Sequence, residues 1–561
     1  MPLDYGLGNL ELGANAATMT LVLVSVLTYY LSWRWSEASR VRRMAKGGHA
    51  GSSALPSPVP LLPRWIPFVG GHTLQMETDT LNEQLEGWAD EFGGDFELAV
   101  FGKRVIFVTK TEDARRIYVS RPTKFVRGWF PDQFFKISKK VGLNPSLFFD
   151  EGKEWGRSRR LISPALNGHQ NVADMIPAIT KIAERVCTKL GDQQGEMVDV
   201  APIFERFTHD VIALAGFGFD ADSVRATKDR PSVSYQAMGN ILEALMALLM
   251  DPLTVLGWTI APSLWPLART TKEGSARLHH VVQGAIDSTR RQMESSGGMT
   301  PPGETGGALL RKLVSARNKN SENSVNDAAN RMTLSDEEIV TEVKMLFLAG
   351  SETTAKTLSW TLYFLAKHPE MLLRCREEAL RVAPLSGGMV SSFEQASQLL
   401  FCSVVFKETL RIRPPATVLF LHNTEAFTMK SGMELEAGTA FTTLLRYPCL
   451  SNDAFTRAKE FVPERWIDAE REEALLGKRS ADDDSSGKVV HREEVTQFFG
   501  GGPRICPGMH IANLEAAIFL GAVCARFDVA LAPSQADPPQ EKMQFTTGLN
   551  SLKLVLTPRK A

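Results

Sequence analysis

Cys506 sits in the run Phe499-Gly500-Gly501-Gly502-Pro503-Arg504-Ile505-Cys506-Pro507-Gly508, which leads into a helix-forming stretch from Met509 to Ala516. The glycines permit a tight loop whose backbone can approach something flat and large. Pro507 suits the first turn of a helix. A cysteine there meets free backbone N–H groups and the positive end of the helix dipole, and both favour ionised sulfur. A thiolate can bind zinc, an iron–sulfur cluster or heme iron, but the first two are usually held by several clustered ligands. The other cysteines, Cys187, Cys375, Cys402, Cys449 and Cys524, are scattered along the chain. A single axial bond from Cys506 to heme iron fits this isolation, against the plainer reading of a buried core cysteine.

Three further groups carry side chains suited to chemistry. Ala349-Gly350-Ser351-Glu352-Thr353-Thr354 puts an acid and two hydroxyls in a helical segment. Glycine weakens a helix, and threonine hydroxyls bond back to its carbonyls, so a local loosening is expected there. Such a loosening would let a flat cofactor and a diatomic ligand approach the backbone. Glu408 and Arg411 stand at i, i+3 before Pro414-Pro415, and Pro463-Glu464-Arg465-Trp466 adds a second arginine downstream. On spacing alone the first pair is an ordinary helical ion pair. Trp155 with Arg159, Arg504 and His422 supply N–H donors of the kind that bind carboxylates.

Taken in order, these runs resemble the signatures of the cytochrome P-450 superfamily over about residues 55 to 560. The matches are W-x-x-x-R at Trp155 and Arg159, [AG]-G-x-[DE]-T-[TS] at Ala349–Thr354, E-x-x-R at Glu408 and Arg411, P-E-R-W at Pro463–Trp466, and F-x-x-G-x-R-x-C-x-G from Phe499 to Gly508. The resemblance implies heme b held by Cys506, with Phe499, Gly502, Gly508, Ala349 and Gly350 around it. Trp155, Arg159 and Arg504 are implied propionate contacts. His422 falls where many members carry arginine, so its place among them is a departure from the family pattern. Thr353 is implied to hold dioxygen and the water that delivers protons, with Glu352 feeding protons from solvent. Glu408, Arg411 and Arg465 are implied to lock the loop behind the heme, a structural role.

The elements that must position these residues follow from the local pattern. Ser335 with Glu338 makes a capping box, and Lys367-His368-Pro369 ends a helix predicted from Asp336 to Ala366. Helical periodicity recurs at Ala173–Leu190 and Phe204–Ala215, whereas Phe96–Val108 reads as a hairpin turning at Gly102-Lys103. Ser295–Asn330 and Asp468–His491 are polar or charge-rich and read as surface loops. The implied fold is mainly α with a small β region, preceded by one N-terminal transmembrane helix.

Residues Leu12 to Trp33 contain no charged side chain, about the length of a membrane-spanning helix. Tyr29, Tyr30, Trp33 and Trp35 gather at one end, with Arg34, Arg40, Arg42, Arg43 and Lys46 beyond them. That charge order places the N-terminus in the lumen and the body in the cytosol, and it disfavours a cleaved signal peptide. The organisation expected is a lumenal 1–11, an anchor 12–33, a basic and proline-rich hinge 34–67 and a heme-binding monooxygenase domain 68–561, on the endoplasmic reticulum membrane. Lysine plus arginine (63) nearly balance aspartate plus glutamate (64), which gives no sign of a nucleic-acid partner.

The reaction the resemblance implies is insertion of one atom of O2 into a lipophilic organic substrate, by hydroxylation or epoxidation. Only 55 residues follow Cys506, too few for a flavin domain, and no G-x-G-x-x-G fingerprint appears. Electrons are therefore expected from NADPH–cytochrome P-450 reductase, with cytochrome b5 as an optional second donor. Two alternatives remain: a reductase-independent isomerase or dehydratase of lipid peroxides, and a non-catalytic heme-binding protein. Glu352-Thr353 argues against both, because neither needs a proton relay.

Overall fold

The computed structural model describes residues 55–58, 72, 75–77, 79–100, 103–127, 139, 146–193, 195–250, 266–295, 306–318, 334–452, 454–467 and 497–559. The expected membrane anchor, most of the proline-rich hinge and the loop 468–491 lie outside them. Thirteen α-helices are found among the described residues. The first eight are α1 (Leu81–Phe92), α2 (Thr111–Val119), α3 (Gly152–Asn167), α4 (His169–Gly191), α5 (Ala201–Val211), α6 (Val233–Met250), α7 (Pro266–Ser295) and α8 (Ala308–Asn318). Then come α9 (Asp336–Lys367), α10 (Pro369–Val382), α11 (Phe393–Ala396), α12 (Leu400–Ile412) and α13 (Met509–Arg526).

Helix α9 begins as its capping box dictates. The Ser335 hydroxyl accepts from the Glu338 N–H at 3.2 Å, and the Ser335 N–H donates to the Glu338 carboxylate at 2.7 Å. The helix then runs unbroken through Ala349–Thr354, so the loosening expected there does not occur. Thr353 Oγ1 does bond back to the Ala349 carbonyl at 2.8 Å, and Thr357 repeats the contact to Thr353 at 2.9 Å. Those bonds satisfy the hydroxyls without bending the rod, because burial holds the helix on most sides. Distortion appears instead in its neighbour, where α5 passes into a π-helical turn at Ile212–Gly216. Ile212 Cδ1 would lie 3.7 Å from a Cβ on Gly350, so the missing side chain lets the two helices pack closely.

Four sheets form the β portion. The largest has the order β1-β2-β8-β5-β3, from β1 (Phe96–Val100), β2 (Lys103–Val108), β3 (Phe125–Arg127), β5 (Val418–Asn423) and β8 (Ala440–Leu444). β1 and β2 make the predicted hairpin, pairing Phe96 with Phe107 and Val100 with Lys103. A three-stranded sheet joins β4 (Met197–Asp199), β12 (Lys553–Pro558) and β9 (Phe527–Leu531). Two short pairs complete the set, β6 (Phe427–Thr428) with β7 (Glu434–Leu435) and β10 (Lys542–Met543) with β11 (Thr547–Gly548).

One sequence expectation needs correction. The window Ser295–Asn330 contains α8, whose Leu309, Leu310, Leu313 and Val314 are buried. Its glycine- and asparagine-rich flanks hide an apolar face only one helix long. The Gly307 N–H donates to the Leu214 carboxyl-side carbonyl oxygen at 3.0 Å, which ties α8 to the π-helical turn. Among the described residues α13 is long and apolar enough to cross a membrane, yet most of it is buried. It packs against α4, α10 and α12 as a core helix.

Candidate active site

The cysteine loop is closed by its own backbone. The Cys506 N–H donates to the Phe499 carbonyl at 2.9 Å, and the Gly500 N–H to Gln497 at 2.7 Å. Gly502 sits at φ 61°, and a Cβ there would collide with the Tyr118 carbonyl at the end of α2. Glycine at this position is therefore required by both conformation and space. Cys506 is half-buried. Burial pushes its thiol up, opposed by the N–H groups of Gly508 and Met509 and by the charge of Arg159. The helix N-terminus acts in the expected direction, but desolvation outweighs it. A metal centre would reverse that balance, since a coordinating thiol is deprotonated outright.

Beside the loop lies a cluster of buried cations. The Arg504 guanidinium covers the Trp155 ring at 4.3 Å, donates to the Asp150 carbonyl at 2.5 Å and pairs with Glu151. Arg127 covers Phe148 at 4.2 Å and stands 3.8 Å from the same Glu151. Arg121, only 5% exposed, adds a third positive charge. Burial first, then Arg121 and Arg504, push Arg127 down to about 9. Arginine does not deprotonate in proteins, so the depression reflects the cost of burying this charge beside two like charges, a cost that an anion would relieve. Donors stand ready for one. Nε and Nη2 of Arg121, Nε of Arg127, Nε and Nη1 of Arg504 and Nδ1 of His422 are buried without a hydrogen-bond partner among the described residues. Buried polar groups are rarely left so.

His422 is one rung from this cluster: in the β3–β5 ladder Val126 faces His422 and Arg127 faces Leu421. Trp155 is in contact with Arg504, whereas Arg159, its partner in the W-x-x-x-R run, lies toward Cys506. Arg121 and Arg127 escaped the sequence reading. An isolated arginine carries no signal, and these two gain meaning only when folding gathers them around Glu151.

Within α9, Leu346, Ala349, Gly350 and Thr353 stay half-exposed in a helix otherwise largely buried. Their i, i+3, i+4, i+7 spacing makes one face. Glu352, on a different face, is 7% exposed. The Thr546 N–H donates to Glu352 Oε1 at 3.4 Å, while Oε2 is buried with no partner among the described residues. Burial raises this carboxyl, opposed by the charge of Lys356. The Thr208 hydroxyl of α5 meets the Ser351 carbonyl at 2.8 Å and fixes the motif from behind.

Glu408, Arg411 and Arg465 form a separate, fully satisfied lock. Arg411 clasps Glu408 through Nε at 2.9 Å and Nη2 at 2.8 Å, and gives Nη1 to the Cys449 and Ala458 carbonyls at 2.6 Å each. Arg465 Nε reaches Glu408 Oε1 at 3.0 Å, and Trp466 Nε1 reaches Oε2 at 2.9 Å.

A helical chain with a lone cysteine loop at a helix N-terminus, and buried donors short of an anion, has the makings of a heme-thiolate protein. A family model, "Cytochrome P450", matches residues 60–557, and the chain belongs to that family. It is 28% identical over 401 residues to cytochrome P450 CYP72A613 of Trigonella foenum-graecum, covering 69% of this chain and 68% of the relative. It is 28% identical over 434 residues to 11-oxo-beta-amyrin 30-oxidase of Glycyrrhiza uralensis, covering 73% and 74%. A putative cytochrome P450, CYP13A3 of Caenorhabditis elegans, is 25% identical over 571 residues, covering 96% and 98%. The protein is a cytochrome P450 monooxygenase, a class that works through heme-thiolate iron.

Proposed function

We propose that this chain binds heme b through Cys506 and oxygenates a lipophilic small molecule, by hydroxylation or epoxidation, with electrons from NADPH–cytochrome P450 reductase. When bound, heme supplies the oxygen-activating iron, and thiolate ligation favours O–O cleavage. The residues present fit that group. Arg121, Arg127, Arg504 and His422 offer its carboxylates donors that are otherwise orphaned among the described residues, with Trp155 against Arg504 and Arg159 toward Cys506. Gly502 and Gly508 let the cysteine loop come close, and Phe499 closes it.

The part of this chain in the reaction is to orient substrate and to move protons. Glu352 holds a proton that its buried, raised carboxyl can release toward the Thr353 hydroxyl through water. The half-exposed face of Leu346, Ala349, Gly350 and Thr353 borders the reacting space. Phe545 of the C-terminal turn comes within 6.0 Å of Phe148, which offers substrate an apolar wall. Leu12–Trp33 anchors the chain in the endoplasmic reticulum membrane with the catalytic body facing the cytosol, where the reductase and cytochrome b5 meet it.

The observation that carries the monooxygenase reading is Glu352: a buried acid with one oxygen left without a partner among the described residues, next to Thr353 on the central helix. A peroxide isomerase or a heme carrier has no use for it. Full-length protein with purified reductase should consume NADPH when a substrate that shifts the Soret band is added, and yield oxygenated product. Turnover with lipid hydroperoxides alone would reverse the assignment. Cys506→Ala should abolish the red-shifted carbon monoxide band typical of thiolate ligation, and its persistence would mean another residue ligates iron.

A further inference from the structure

One helical turn beyond Glu352 lies Lys356, a lysine only 1% exposed. Lysine is almost never buried to that degree without partners, and its partners come from two directions. Nζ donates to Asn550 Oδ1 at 2.5 Å and to the Leu549 carbonyl at 3.2 Å, both in the chain leaving the C-terminal turn. It also stands 3.3 Å from Glu205 Oε1 of α5, a carboxylate one-third exposed. The Tyr235 hydroxyl of α6 donates to the other oxygen of Glu205 at 3.2 Å. Room for the lysine stem is made by Gly548, where a Cβ would lie 2.5 Å from the Cβ of Lys356. The same turn supplies the Thr546 N–H that binds Glu352. Asn550 is exposed and borders a surface groove of about 380 Å3 that also includes Gln535, Glu541 and Lys553.

We propose that Lys356, held between Glu205 and the C-terminal turn, is a positioning residue for Glu352 and links that acid to solvent at Glu205 and Asn550. This rests on the assignment of Glu352 as proton donor made above. A general acid must ionise and be reloaded in every turnover, and a carboxyl buried alone stays protonated. The ammonium of Lys356 counters that burial from its own helix, and Glu205 partly cancels the ammonium from α5. Glu352 therefore faces one positive and one negative charge, besides the neutral Thr546, with Tyr235 behind Glu205. Each turnover consumes two protons; Glu352 gives them inward one at a time and is reloaded after each from water arriving past Glu205 and Asn550. Lys356 acts through charge and by fixing the turn.

The two charged neighbours make predictions of opposite sign. The ionisation midpoint of Glu352 can be followed in full-length holoprotein by infrared difference spectra against Glu352→Gln across a pH series. Lys356→Met should raise the midpoint by about one unit or more, a tenfold change in proton affinity. Glu205→Gln should lower it, and Lys356→Arg should leave it near wild type. With reductase present, Lys356→Met should also divert severalfold more NADPH electrons to peroxide at the expense of product. A purely structural role for Lys356 would move stability in these variants without opposite midpoint shifts. The proposal falls if the midpoint is unmoved in Lys356→Met, or if Glu205→Gln shifts it upward. Should Lys356→Met fail to fold, the sign in Glu205→Gln decides. Wild-type coupling in Glu352→Gln would instead overturn the assignment of Glu352 itself, and the present proposal with it.

Discussion

Two groups of arginines in this protein are withdrawn from solvent, one fully and one for the most part, and they differ in where their donors end. Arg411 and Arg465 share the carboxylate of Glu408, and their remaining donors end on the carbonyls of Cys449, Ala458, Glu460, Thr456 and Arg457. Arg121, Arg127 and Arg504 crowd around Glu151 and keep five guanidinium nitrogens without a hydrogen-bond partner among the described residues. The first group is finished by the fold. The second is left open by it, and an unfinished set of buried donors is what a binding site looks like before its anion arrives. Completeness of hydrogen bonding, rather than burial, separates structural arginines from ligand-binding ones.

The difference can be broken most forcefully at Glu408. Glu408→Ala would leave two buried guanidiniums without their carboxylate, a loss of about 3–5 kcal/mol. That is a large part of the stability of an ordinary domain. Little soluble holoprotein should be recovered, as judged by yield and heme content, and a fully heme-loaded Glu408→Ala protein would remove Glu408 from its structural role. Arg127→Gln should behave in the opposite way. It removes a charge repelled by Arg121 and Arg504, so the heme-free protein should melt at the wild-type temperature or above. Loss of a charge-assisted contact worth about 1.5–3 kcal/mol should instead weaken heme retention tenfold or more, measured by transfer to a heme-scavenging protein. Equal damage to the heme-free fold from both substitutions would erase the distinction.

This contrast was only half legible in the sequence. Glu408, Arg411 and Arg465 are written as short spaced runs, because a lock built on one helix and one tight turn keeps its spacing. Cys506 and its glycines are legible for the same reason: a loop pressed against the Tyr118 carbonyl tolerates no side chain at Gly502. Arg127 enters the site through the pairing of β3 with β5, with Arg121 in the turn just before that strand, a non-local event that leaves no local trace. Lys356 reads as one more polar residue on a long helix until Gly548 and Glu205 close around it. Helix α8 was missed because its four buried apolar residues are flanked by composition typical of loops. The distortion expected in α9 failed differently, since the propensities of Gly350 and Thr353 were outweighed by packing from α5 and the C-terminal turn.

A further buried acid is Glu342, about three turns before Glu352 on α9. Its carboxylate accepts the Leu147 N–H, at 3.0 Å from each oxygen, and it is 3% exposed. Burial pushes its carboxyl from 4.5 to about 7, against the Leu147 and Ser158 hydrogen bonds. Folding therefore binds a proton wherever the unfolded chain has already lost it. Between pH 4.5 and 7 stability should fall as pH rises, by roughly 1.4 kcal/mol per unit and at most about 3 kcal/mol, and should level off above the folded value. Glu342→Gln cannot ionise and retains an acceptor for Leu147. The stability gap between wild type and variant, from urea unfolding at a series of pH values, should thus shift toward the variant across this window. A gap independent of pH would mean that Glu342 is held ionised, with its charge satisfied as fully as that of Glu408.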